Sequence, residues 1–87
     1  MKIAEGFVLK NIAGTNVVVP LGDNTVSFKA IITLNETGAF LWEQLSTEKT
    51  PDDLLNAMLS EYAVDEATAK ADIIEFVENL KKANLLA

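Results

Sequence analysis

The chemistry open to this chain is narrow, because the side chains that most often carry catalysis are missing. It has no histidine and no cysteine, which removes the commonest general base, the strongest thiol nucleophile and the usual transition-metal ligands. What remains is 13 carboxylates, 7 basic side chains, some serine and threonine hydroxyls and the single Tyr62. The chain is therefore read as a non-catalytic binder with no metal and no cofactor of its own. Without cysteine there are no disulfides either, which suits a reducing cytoplasm.

Charge narrows the partners. All seven basic residues are lysine and the formal net charge is −6. Nucleic-acid binding draws affinity from cations that displace phosphate counterions, and base readout leans on arginine. An arginine-free acidic chain is poorly equipped for either. The charge is also uneven. Residues 1–34 carry Lys2, Lys10 and Lys29 against Glu5 and Asp23, whereas residues 35–87 carry four lysines against eleven carboxylates. No apolar run approaches a signal peptide or the roughly 20 residues of a membrane span, so the expectation is a cytoplasmic protein with no membrane partner. Eighty-seven residues with 49% hydrophobic content are expected to form one domain over 1–87 around one core, burying roughly 60–65% of the unfolded surface.

The elements that would position a binding surface follow in order. Residues 7–12 are rich in β-formers, Ala13-Gly14 supplies a turn, and residues 16–21 contain Val17-Val18-Val19. After a second turn cluster at Gly22-Asp23-Asn24, residues 26–34 alternate. Val26, Phe28, Ala30, Ile32 and Leu34 share one face, and Ser27, Lys29, Ile31 and Thr33 the other. Pro20 cannot donate to a ladder, so the end of the second strand is expected at an edge or a bend. The period then becomes helical. Asn35 is placed as an N-cap before Gly38, Leu41, Trp42 and Leu45, with the helix ending near Ser46. Thr50-Pro51-Asp52-Asp53 starts a second helix carrying Leu54, Leu55, Met58, Leu59 and Tyr62. Asp65 caps a third, through Ala69, Ile73, Phe76, Val77 and Leu80 to about Asn84, with Leu85 and Leu86 folding back. The order β-β-β-α-α-α, with helices two and three joined by Ala63-Val64, is an α+β winged helix-turn-helix: a three-stranded antiparallel β-sheet followed by three α-helices.

Within this frame, residues 34–45, Leu34-Asn35-Glu36-Thr37-Gly38-Ala39-Phe40-Leu41-Trp42-Glu43-Gln44-Leu45, resemble the signature block of the PqqD-like family. Thr50-Pro51-Asp52-Asp53-Leu54, Glu61-Tyr62, Ala71-Asp72-Ile73 and the tail from Phe76 to Leu86 agree with it, and Asn84 stands where the family usually has glycine. The resemblance implies a peptide-recognition domain of ribosomal peptide natural-product pathways. Such a domain binds the leader of a precursor peptide by β-strand addition and presents it to a modifying enzyme, often of the radical S-adenosylmethionine type. Carried onto this chain, it names the third strand (Val26, Ser27, Phe28, Lys29, Ala30, Ile31, Ile32 and Thr33) and the outward line of the third helix.

The residues point the same way. The third strand of a meander has one unpaired edge that can hydrogen-bond an extended peptide, and Lys29 is the only charge between Val26 and Leu34. On the third helix, Lys70, Ile74, Val77 and Lys81 fall at i, i+4, i+7 and i+11. An apolar floor flanked by lysines would suit a leader with hydrophobic anchors and acidic residues. Plainer readings stand beside these. Trp42 is a core residue, Gly38 a close-packing position, and Asn35, Thr50 and Asp65 are caps; the acidic helices form a solvated face. Lys70 and Lys81 equally read as ordinary surface charge, and Ile74 as a residue covered by the sheet. Two other function classes remain: a winged-helix DNA-binding protein, disfavoured because Glu66, Asp72, Glu75 and Glu78 outnumber Lys70, Lys81 and Lys82, and a protein-interaction module that dimerises through the strand edge. Monomer and homodimer are both left open.

Overall fold

Ala13 and Gly14 reverse the chain between β1 (Phe7–Ile12) and β2 (Thr15–Pro20) in a two-residue turn. Both have positive φ, 52° and 85°, the geometry that matches the right-handed twist of a hairpin. Asn11 fastens it: its Oδ1 accepts the Gly14 N–H at 3.2 Å, and its Nδ2 donates to Asn16 Oδ1 at 3.1 Å. In this computed structural model, residues 1–22 and 31–87 are described. The expected third strand therefore shows only its end, β3 (Thr33–Leu34); Val26, Ser27, Phe28, Lys29 and Ala30 lie outside the described residues. β3 pairs antiparallel with β2, Val17 opposite Thr33 and Asn16 opposite Leu34, giving the sheet order β1-β2-β3. The expected alternation holds in the described part, with Ile32 and Leu34 packed on the core while Ile31 and Thr33 are exposed.

Three helices follow, and each begins where its cap is written. Asn35 Oδ1 accepts the Gly38 N–H ahead of α1 (Glu36–Gln44). Thr50 and Asp53 form a reciprocal capping box at α2 (Pro51–Glu61), with Pro51 in the first turn, where its missing N–H costs nothing. Asp65 accepts the Thr68 N–H to open α3 (Glu66–Lys82). The end of α3 is equally specified. Asn84 takes a left-handed φ of 58°, the Asn84 N–H bonds the Lys81 carbonyl at 3.1 Å, and the Leu85 N–H bonds the Leu80 carbonyl at 2.9 Å. This is a Schellman closure, in which Asn does the work usually given to glycine.

One hydrophobic cluster joins the layers. Leu41, Trp42 and Leu45 enter it from α1, Leu54, Leu55 and Met58 from α2, and Ala69, Ile73, Phe76, Val77 and Leu80 from α3. Val18 enters from the sheet, and Ile3 and Leu85 from the two ends of the chain. Fully buried side chains such as Leu45, Leu54 and Leu85 each contribute about 2 kcal/mol by leaving water. Leu59, expected on the apolar face of α2, is exposed. The returning tail is anchored by a bridge between Ile3 and Leu86 and by the Ala4 N–H on the Leu85 carbonyl at 2.8 Å. The sheet, the α2–α3 hairpin and this return together hold β3 beside α3.

Candidate functional site

The direction of the hydrogen bonds on β3 decides what its outer edge offers. The Val18 N–H bonds the Ile32 carbonyl at 2.9 Å, so Ile32 turns its backbone groups toward β2. Alternation along an antiparallel pair then turns those of Thr33 and Ile31 outward. Among the described residues no strand pairs with β3 on that side. Ile31 is 88% exposed, a large apolar side chain standing next to these outward-facing backbone groups.

Beside this edge the structure has two adjoining cavities. One, of about 370 Å³, lies between Ile31, Ile32, Phe76, Leu80 and Leu85. The other, of about 260 Å³, extends toward the start of α1 and is bordered by Asn35, Gly38, Asp72 and Glu75. Thr33, Leu34, Phe76 and Asn79 line both, so the two form a single cleft between β3 and α3. Gly38 is placed where a side chain would be crowded: a Cβ there would come 3.1 Å from Asn35 Oδ1 and 3.3 Å from Leu34 Cβ.

On the α3 side, this cleft is lined by Asp72, Glu75, Phe76, Asn79 and Leu80. None of Lys70, Ile74, Val77 and Lys81 lines either cavity beside β3. Lys70, Ile74 and Lys81 are exposed, and Val77 is 9% exposed within the core. Lys81 instead borders a separate hollow with Met1, Asn84, Leu86 and Ala87. The physical reason is the rotational setting of α3. At about 100° per residue, Ile74 and Asn79 lie about 140° apart around the helix, and packing turns the Asn79 side toward β3. Asp72, Glu75, Phe76 and Asn79 are the α3 residues that border the cleft toward α1, and the sequence pattern does not group them. The signal available for them was weak, since Phe76 reads as core and the acids read as solvated surface.

None of the groups with a shifted pKa lines this cleft. Tyr62 sits at the end of α2 with its ring edge-on to Phe40, centroids 5.4 Å apart. Desolvation, then Glu36 and Glu61, raise its pKa above the ordinary value, so the hydroxyl stays protonated. Asp53 and Asp65 have lowered pKa values because each accepts a backbone N–H, from Thr50 and Thr68 respectively; these are capping roles. Among the described residues no three carboxylates converge as a metal site, and no helix is long and apolar enough to cross a membrane.

A small α+β module with an unpaired strand edge beside a cleft is a form used elsewhere to hold extended chains. Comparison with known proteins gives that class a family: the chain belongs to the family described as coenzyme PQQ synthesis protein D (PqqD), whose model matches residues 7–86. No match is found among curated proteins. Two solved structures share the architecture. TbiB1, in complex with the TbiA(beta) leader peptide, is 28% identical with a TM-score of 0.75, over 99% of this chain and 94% of that one. Lasso peptide synthetase B1, complexed with the leader peptide, is similar in fold at 23% identity and a TM-score of 0.72, over 97% of this chain and 93% of that one.

Proposed function

We propose that this protein is a non-catalytic adaptor that binds the leader segment of a ribosomally made precursor peptide. The leader adds as a strand to the outer edge of β3 and packs against the Phe76–Asn79 side of α3. The observation that carries this reading is the outward-facing backbone of Thr33 and Ile31 beside the cleft. Main-chain hydrogen bonds supply affinity for an added strand, and the adjoining cavities supply side-chain selectivity. The leader-bound state of TbiB1, a similar fold at 28% identity, supports the same use of this one. The adaptor presents its peptide in the cytoplasm to a modifying enzyme, for which the family resemblance favours a radical S-adenosylmethionine enzyme.

The test is a titration of isotopically labelled protein with a candidate precursor leader peptide, following backbone amide signals. Shifts confined to residues 31–34 and 72–80 are expected. Tight binding that leaves residues 31–34 unshifted rejects the strand-addition reading. Sedimentation in the same titration reads out the edge in another way: a dimer that the leader dissolves places self-pairing and peptide binding on one strand.

A further inference from the structure

The cleft beside β3 changes character along its length. Ile31, Leu80 and Leu85 make one end apolar, while Asp72 and Glu75 border the other. Both carboxylates are exposed, and neither has an ion-pair partner among the described residues. Lys70, the nearest lysine on the same helix, faces Glu66 at 3.8 Å instead. The start of α1 also borders this end, and its dipole is worth about half a positive charge. Part of that is already met by Asn35, which accepts the Gly38 N–H. Among the described residues, two full negative charges outweigh the remainder at this end of the cleft.

We infer that the bound segment of the precursor carries a lysine or arginine that meets Asp72 and Glu75, set a few residues from an apolar anchor in the Ile31–Leu85 end. The inference rests on the leader-binding reading and specifies its ligand. It also reverses the acidic leader that Lys70 and Lys81 suggested. The spacing follows from the wall. Asp72 and Leu80 lie about 12 Å apart along α3, and an extended peptide covers that distance in about three to four residues. The ligand class is thus an extended peptide with an apolar residue and a cation in that register.

A bead-displayed library of ten-residue peptides, randomised over Leu, Tyr, Ser, Thr, Lys and Glu, is selected against the whole chain. Selected peptides are expected to carry Lys three or four positions from Leu or Tyr. Against the Asp72→Asn/Glu75→Gln variant they should bind roughly three- to tenfold more weakly, and the difference should close at about 1 M salt, where screening is nearly complete. Enrichment of Glu at the Lys position, or equal affinity for the double variant, overturns the charge assignment. The leader-binding reading survives that result if Thr33→Pro still abolishes binding. A library that yields no binder, or binders indifferent to Thr33→Pro, overturns both.

Discussion

The side-chain oxygen of Asn35 accepts the Gly38 N–H at 2.8 Å and lies 3.1 Å from the point where a Cβ at position 38 would sit. The same contact caps α1 and crowds any side chain at Gly38, which accounts physically for the pairing of Asn and Gly in residues 34–45. Gly38→Ala sets two effects against each other. Alanine gains about 1 kcal/mol of helix propensity, but its methyl presses on the capping oxygen and on Leu34 Cβ at 3.3 Å. Leu34 is held in β3, so its Cβ cannot swing away as a side-chain tip would. Overpacking of this kind costs about 1–3 kcal/mol, and a net loss of about 1 kcal/mol is expected in urea unfolding. An unchanged or raised midpoint would show that the cap yields freely.

The contrast between what is legible in the sequence and what is not follows the same physics. Asn35, Thr50 and Asp65 are readable because a cap is decided within four residues, and all three helices start beside them. The inward set of α1 and the exposure of Ile31 follow from period alone. The side of α3 that meets β3 does not. Which flank of a core-facing helix borders a sheet depends on where the strand passes it, and no local pattern records that. Ile74 is a case in point: a surplus apolar residue, 63% exposed, that lines neither cavity beside β3. Leu59 misleads for a similar reason, lying at the margin of a stripe whose width packing sets.

At the hairpin, Ala13 has a φ of 52°, a conformation that costs an ordinary residue about 1–2 kcal/mol. Asparagine tolerates it, and Asn-Gly is the favoured pair for a turn of this type. Ala13→Asn should therefore raise stability by about 1 kcal/mol without touching the cleft. A higher urea midpoint with unaltered peptide affinity is the expected result.

The caps contribute to acid stability. The Asp65 pKa is lowered from its ordinary 3.8 mainly because the carboxylate accepts the Thr68 N–H. A group whose folded pKa is depressed adds stability above its unfolded pKa and loses it as pH falls through the folded value. The contribution of Asp65 is therefore intact at neutral pH and fades below pH 3.8. Asparagine also caps well but does not titrate. Asp65→Asn should leave stability at pH 7 nearly unchanged and flatten the decline below that value, as followed by thermal unfolding from pH 7 to about pH 2.

The rotational setting of α3 is tested by Ile74→Glu. Ile74 is exposed and lines neither cavity beside β3, so the substitution should alter leader affinity by less than about twofold, the range of ordinary surface changes. Phe76→Ala is the counterpart. Phe76 lines both cavities and is buried, so its truncation should cost about 3 kcal/mol in stability and weaken binding further. Loss of binding in Ile74→Glu with the fold intact would return the recognition surface to the Lys70–Lys81 stripe.

Proline at position 33 separates the edge from the fold. The pairing of β2 with β3 assigns the Ile32 backbone to β2 and the Thr33 backbone to the open side. Thr33→Pro thus removes an outward N–H while sparing the bond from Val18 to Ile32, and edge positions tolerate proline where central ones do not. The fold should persist by circular dichroism, with a stability loss of about 1 kcal/mol for the poorer strand former. Leader binding should weaken at least tenfold, because one main-chain hydrogen bond is deleted and the proline ring intrudes where the proposed added strand would lie. Ile31→Pro should act in the same way one ladder step along. If both variants fold and bind normally, the added strand does not lie on β3.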